Sequence, residues 1–353
     1  MKKVAIIMIN YKDYAERFLK ESYESLIKLN YPKDSYRIYI IDNMTSLETQ
    51  NKIKELALDA TLILSNGNGW GYGNNLGVKK AIKDGFDDYF YFVNMDTKFD
   101  PECLREALKV FEIDQNIGAV QSKILIYPAV NNEYKLNSNG NNLTFLGFGY
   151  CAGAGKKDDL SKEIRDIVVA SGVGVLVSKK IFLKVGMFDE SYFMYHDDIE
   201  LSFKIKLLGY RVVFAPKSVV YHKYEFERSN KKVFFMERNR FRFLLEFFKL
   251  PTLIIIFPAF ILMEIGMLPY EIINKWINKK LKVYLYFFNF KNIKRILKKR
   301  AFAQKLRKIS DKEMLKGVVG IIDFQEIENP VLKYIANPLF KAYWSVVKKI
   351  IIW

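Results

Sequence analysis

The chain is poor in several residue types, and each shortage excludes a class of protein. Cys103 and Cys151 are the only cysteines among 353 residues, too few for a disulfide-built scaffold. His196 and His222 are the only histidines, so any role for imidazole falls on them. No Gly-Lys-Ser/Thr follows the glycines, which excludes a Walker phosphate loop. A secretory leader is not expected either. The apolar run after Met1-Lys2-Lys3 is only six residues, Val4–Ile9, against the roughly 7–15 of such a leader. It ends in Asn10-Tyr11-Lys12, not in small residues. The N-terminal part is therefore expected in the cytosol, with both cysteines as free thiols. Hydrophobic residues are not in short supply. At 50% hydrophobic and 15% aromatic the chain cannot be disordered. Its length suits two domains, or one large domain with an extension.

Acidic residues run short in one region only. Residues 1–222 hold 29 basic and 28 acidic side chains, whereas residues 223–353 hold 27 and 11. Nearly all of the net charge of +17 therefore sits in the C-terminal third. A boundary is expected near 223–240, with a near-neutral globular part before it.

That first part alternates between strand and helix patterns. Val4–Ile9 and Tyr36–Ile41 read as buried parallel strands, Thr61–Leu64 as a short third and Asp88–Val93 as a fourth. Helical spacing appears over Ala15–Leu29 and Ser46–Leu58. A glycine-rich loop is predicted from Asn66 to Asn75, leading into a helix over Leu76–Ile82. Later, Val168–Val177 reads as a strand, and a helix runs from the acidic cluster to about Leu208, capped by Gly209. This is an α/β domain with a mostly parallel sheet.

Polar clusters end three of the strands: Asn10-Tyr11, Asp42-Asn43 and Asn94-Met95-Asp96. Singly, each could be a turn or a cap. Together they point to a ligand crevice beyond the carboxyl ends of the strands. The glycine-rich loop lacks the position of a dinucleotide fingerprint, which should follow the first strand. Asp197, Asp198 and Glu200 fall at a helix start, where carboxylates suit the dipole. The aromatic stretch before them (Phe188, Tyr192, Phe193, Tyr195) makes them candidates for a raised pKa and a general-base role. His222 ends an apolar strand, either as a structural side chain or as a metal ligand.

The order of these motifs resembles the family 2 glycosyltransferases, which have the GT-A fold, over roughly residues 3–245. It looks most like the branch that includes rhamnosyl- and galactofuranosyltransferases. The matching parts are Ile9-Asn10-Tyr11, Asp42-Asn43, the Asn66–Asn75 segment, Asn94-Met95-Asp96-Thr97, Ser171-Gly172, Gly186–Glu190 with Asp197–Leu201, His222 and Glu237-Arg238-Asn239-Arg240. The resemblance implies that Asn10, Tyr11, Asp42, Asn74 and Gly172 hold a nucleotide-sugar. Tyr11 would lie against its base, Asp42 would bond base or ribose, and Gly172 would lie near donor sugar and acceptor. Asp96, with Asn94 and His222, would hold Mg²⁺ or Mn²⁺ on the diphosphate. The family's metal motif is often Asp-x-Asp; Asn94 offers an amide oxygen but no charge. Asp198 would be the catalytic base and Asp197 its partner. An inverting, metal-dependent transfer to a hydroxyl acceptor follows, with residues 1–240 as the catalytic domain.

Residues 241–353 are read as a basic, largely helical, membrane-associated extension. Leu250–Leu268 is 19 residues long and apolar, near the roughly 20 needed to cross a bilayer. Pro251, Pro258 and Glu264 leave a crossing and an interfacial helix both open. Residues 271–316 follow with 15 basic and 3 acidic side chains, a pattern of membrane-surface binding. The expected location is the cytoplasmic face of the cell membrane, with a lipid-linked or membrane-held glycan acceptor and no nucleic-acid partner. Two other readings stand beside this one: a nucleic-acid binder using the basic third, and a GT-A domain that binds sugar or lipid without catalysis.

Overall fold

The structure, a computed structural model, describes residues 1–129, 131–158, 163–224, 230–323 and 329–353. Two compact units make it up. One comprises Met1–Asn141, Cys151–Ile205 and Tyr210–Glu225; the other comprises Asn142–Tyr150, Lys206–Gly209 and Phe226–Trp353.

In the first unit the β-branched N-terminal run forms β1 (Val4–Asn10), and Val4 to Met8 are fully buried. Burying each such Val, Ile or Met contributes about 1.5–3 kcal/mol, which fixes β1 at the sheet's centre. The following elements are α1 (Lys20–Leu26), β2 (Tyr36–Asp42), α2 (Leu47–Leu56), β3 (Thr61–Leu64), α3 (Trp70–Asp84), β4 (Tyr89–Val93), β5 (Thr97–Phe99) and α4 (Cys103–Ile113). After these come β6 (Ile117–Ile126), β7 (Leu136–Ser138), β10 (Arg165–Asp166) and β11 (Gly174–Ser178); the two-stranded ribbon of β8 (Asn141–Leu143) and β9 (Gly149–Cys151), between β7 and β10 in the chain, falls mostly in the second unit. The unit closes with α5 (Lys179–Lys184), α6 (Asp197–Leu207) and β12 (Arg211–His222). The sheet order is β10-β12-β6-β11-β4-β1-β2-β3, with β5 on β12 and β7 on β6. β1 is parallel to both β2 and β4, so the order reverses at β1 and a crevice opens at the strands' carboxyl ends. β11 runs antiparallel between β4 and β6.

Two local expectations are corrected. The Asn66–Asn75 segment is not a loop throughout, because α3 already begins at Trp70. Gly69 (φ +123°) makes the entry turn that a side chain would strain. The glycines inside the helix let it lie directly on the sheet. A Cβ on Gly73 would sit 3.0 Å from Ile9 Cδ1, and one on Gly77 2.7 Å from Ile7 Cγ2. Glycine's poor helix propensity is overridden by this close packing. The strand expected over Val168–Val177 is confined to Gly174–Ser178, because Ser171 N–H leaves the ladder to bond Gln121 Oε1 at 2.7 Å.

The second unit is helical: α7 (Asn230–Phe247), α8 (Leu250–Ile273), α9 (Ile277–Phe288), α10 (Phe290–Leu306), α11 (Asp311–Met314) and α12 (Asn337–Ile350). Phe145 stacks on Trp344 at 4.9 Å, and Trp344 Nε1–H donates to Val318 O at 2.9 Å. Arg240, fully buried, donates to Glu264 at 2.5 Å and to both oxygens of Glu237. Lys280 joins both carboxylates. Burial works against the Glu237 anion, but the Arg240 and Lys280 charges outweigh it and hold its carboxyl at about 2. Glu264 thus has Arg240, Lys280 and the Tyr284 hydroxyl as partners inside an apolar helix that runs unbroken through Pro258.

Candidate active site

The acidic pair is presented by a strained turn. Phe193, Tyr195 and His196 all have left-handed backbone, with φ of 70°, 63° and 67°. Such residues cost on the order of 1–3 kcal/mol each and persist only where neighbours over-determine them. Trp70 N–H donates to Phe193 O at 2.8 Å. Asn75 grips the same segment, donating to Phe188 O and Glu190 Oε1 at 3.0 Å each and accepting from Phe188 N–H at 3.2 Å.

α6 then starts with two carboxylates in different settings. Asp197 is buried, and its Oδ1 has no hydrogen-bond partner. Burial first, and the Asp198 and Glu200 charges second, push its carboxyl well above the usual carboxylate range. Asp198 is partly exposed. Its Oδ1 accepts from Ile199 N–H at 2.9 Å and its Oδ2 from Gly172 N–H at 3.5 Å. Burial raises its pKa too, and these two N–H groups pull it back. Like charges side by side favour one proton on the pair, and the buried member is the better place for it. Glu200 is tied to Lys204 at 2.8 Å.

A second cluster forms where β5 folds back on β12. The register Thr97↔His222 brings Asp96 beside the end of β12. His222 Nε2 lies 3.4 Å from Asp96 Oδ1, and that oxygen is buried without a hydrogen-bond partner. His222 Nδ1 lies 3.0 Å from Asn137 Oδ1. With Nδ1–H donating to that amide oxygen, Nε2 turns its lone pair toward Asp96, an arrangement that a cation completes. Asn94 is adjacent: its N–H donates to Val173 O at 3.3 Å, next to Gly172. Among the described residues no three His, Cys, Asp or Glu side chains converge. The unpartnered Asp96 Oδ1 and the His222 Nε2 lone pair are donors that suit a divalent cation.

A third cluster joins β1 to β2 through the register Asn10↔Asp42. Asp42 is fully buried and accepts four bonds: from Asn10 Nδ2 (2.8 Å), Thr45 Oγ1 (2.5 Å), Thr45 N–H (3.1 Å) and Gln50 Nε2 (3.1 Å). Tyr11, 36% exposed, stands at the mouth with Lys12 over its ring. Asn74 is buried in α3; its Nδ2 donates to Trp70 O at 3.0 Å, and its Oδ1 has no partner.

The structure thus brings Asn10 to Asp42, Asp96 to His222, and Gly172 to Asp198, with Asn94 bonded beside Gly172. Among the described residues, no side-chain hydrogen bond joins Tyr11 or Asn74 to the other candidate residues. The motifs did not single out Asn137 as the support of His222. Nor did they single out Trp70, whose ring would lie 2.8 Å from a Cβ on Gly172.

A reversed parallel sheet, with an acidic pair and an Asp–His pair at its carboxyl ends, defines a GT-A glycosyltransferase. The chain belongs to glycosyl transferase family 2, whose profile matches residues 5–186. It is 25% identical to rhamnosyltransferase WbbL of Escherichia coli (strain K12), over 67% of this chain and 88% of that protein. It is also 25% identical to the low-salt glycan biosynthesis hexosyltransferase Agl10 of Haloferax volcanii, over 67% and 74%. Among solved structures, GalNAc-T7 with UDP, GalNAc and Mn²⁺ superposes with a TM-score of 0.53 at 14% identity. That match covers 70% of this chain but only half of GalNAc-T7. Its weight is for the fold.

Proposed function

We propose that this glycosyltransferase moves a hexose or deoxyhexose from a nucleotide-sugar to a hydroxyl of a lipid-linked or membrane-held acceptor, by inverting displacement. The observation that carries this is the split acidic pair: Asp197 buried, its carboxyl pushed well above the usual range by burial, and Asp198 partly exposed, its two oxygens accepting from the Ile199 and Gly172 N–H groups.

In this reading Asp198 takes the proton of the acceptor hydroxyl as its oxygen attacks the anomeric carbon. Asp197 keeps its proton and so leaves the charge on its neighbour. Gly172 has no side chain, so the Trp70 ring packs directly against it while its N–H holds Asp198 Oδ2. Asp96 and His222, with Asn94 two residues before Asp96, would hold Mg²⁺ or Mn²⁺, and the cation would supply charge neutralisation to the departing diphosphate. Tyr11 offers its ring to the base. Asp42 orders the wall behind it, and a base or ribose reaching Asp42 displaces Gln50.

The second unit supports a seat on the cytoplasmic membrane face. α8 is long and apolar enough to cross a bilayer, and only 28% of its most apolar stretch is buried. Residues 277–306 carry ten basic and no acidic side chains. A soluble nucleic-acid binder has no use for that exposed apolar helix beside the charge.

The test is a hydrolysis screen of nucleotide-sugars with the purified chain and Mn²⁺ or Mg²⁺. Metal-dependent release of nucleoside diphosphate from one donor is expected, and none from any donor contradicts the proposal. Sedimentation with anionic vesicles tests the membrane seat; DNA binding without vesicle binding contradicts it.

A further inference from the structure

The second unit holds a cavity of about 340 Å³ with mostly hydrocarbon walls, including Leu262, Met263, Met267, Leu332, Ile335 and Phe340. Several lining residues also face solvent: Leu262 is 48% exposed, Val331 60%, Ile335 64% and Leu339 50%. The mouth therefore lies in an apolar surface. That surface continues along α8 through Ile254, Phe257, Ile261 and Ile265, all exposed. Exposed apolar surface of this kind marks a binding face.

Charge is arranged by depth. Lys232, Glu237 and Glu271 are the charged residues that line the cavity; the two glutamates belong to a buried group of three carboxylates, with Glu264, against two cations, Arg240 and Lys280. Glu271 is 4% exposed, and its Oε2 has no hydrogen-bond partner. The cations in excess lie elsewhere, on α9 and α10, whose residues 277–306 hold ten bases and no acid. Hydrocarbon walls with the basic surface of α9 and α10 outside match a lipid that inserts its chain and leaves its anionic head at the surface.

We infer that this cavity is a binding site for the hydrocarbon chain of an anionic membrane lipid, taken directly from the bilayer. The inference rests on the membrane seat proposed above. The chain is an acyl tail of the bilayer or the polyisoprenoid tail of a lipid-linked acceptor; both offer the same apolar end.

The structure supplies a clean perturbation. Gly266 lines the cavity, and a Cβ built there meets nothing within 4 Å. Gly266→Phe thus enters open space at a helical position where glycine is itself unfavourable, so folding is not at risk. Ala336→Phe, from the opposite wall, is the second variant. The full chain is photolabelled with two probes, each with a diazirine near the end of its hydrocarbon chain: a phosphatidylglycerol and a polyprenyl monophosphate. Each is presented both in vesicles and in detergent micelles. Labels are expected on Leu262–Met267 and Leu332–Leu339, falling at least tenfold in both variants while melting temperature and vesicle sedimentation hold. Labelling by the polyprenyl probe alone assigns the acceptor's tail; labelling by both assigns membrane hydrocarbon in general. Undiminished labelling in both variants overturns the inference, as does labelling confined to Ile254, Phe257 and Ile261. Loss of sedimentation with cavity labelling kept in micelles overturns the membrane seat and leaves the cavity assignment standing.

Discussion

Replacing Asn137 with alanine isolates the support of the Asp96–His222 pair. Asn137 is 1% exposed, and its Oδ1 lies 3.0 Å from His222 Nδ1. Its Nδ2 is buried without a partner. The substitution therefore deletes one hydrogen bond, worth about 0.5–1.5 kcal/mol, but also relieves one stranded donor. Net destabilisation is expected below about 1 kcal/mol. The effect on metal is larger. Without Asn137 the Nδ1–H loses its acceptor, the tautomer is no longer fixed, and Nε2 no longer points steadily past Asp96 Oδ1 at 3.4 Å. Loss of such a support typically weakens metal binding about 10–100-fold, or about 1.4–2.7 kcal/mol. Free Mn²⁺ measured by electron paramagnetic resonance during titration reads this directly, beside urea unfolding of both proteins. Unchanged Mn²⁺ affinity in a folded Asn137→Ala protein refutes the reasoning, and the contact is then structural only.

Three further outcomes follow from the same geometry. The buried Asp197 carboxyl has a raised pKa, so the folded state holds a proton that the unfolded chain gives up; its contribution to stability is lost as pH rises above about 4. Asp197→Asn should flatten that decline above about pH 4, as urea midpoints across pH will show. Asp42→Asn places an amide N–H₂ among four donors and strands at least one of them, costing about 1–3 kcal/mol by urea unfolding. Arg240→Met leaves Glu237 and Glu264 buried with Lys280 alone and should cost about 3–5 kcal/mol in chemical unfolding.

Much of the fold was legible because its strands are continuous apolar runs. Val4–Asn10, Tyr36–Asp42 and Tyr89–Val93 begin and end within a residue of where the pattern placed them. The start of α3 was not legible. Four glycines in eight residues argue for a loop by propensity, and only the contact with Ile7 and Ile9 selects a helix. Val168–Val177 failed as one strand for a similar reason: Ser171 finds a partner in Gln121, fifty residues away. In the site, Asp197-Asp198 stood out by composition and position. Which of the two is buried, and which faces solvent, depends on the strained Phe193–His196 turn and on Gly172, which no local pattern encodes. Asn137 left no trace in the sequence because its bond to His222 spans 85 residues.

The central claim is that Asp198 is the base of a sugar transfer, and Asp198→Asn tests it most directly. Asparagine keeps the shape and, through its one amide oxygen, one of the two bonds from Ile199 and Gly172, but cannot take the acceptor's proton. A positioned base typically contributes about 10²–10⁴-fold to rate. Single-turnover transfer from the donor found in the screen should fall by that factor, with donor affinity within about twofold of the unsubstituted protein. Near-native turnover by the Asp198→Asn protein would contradict the account.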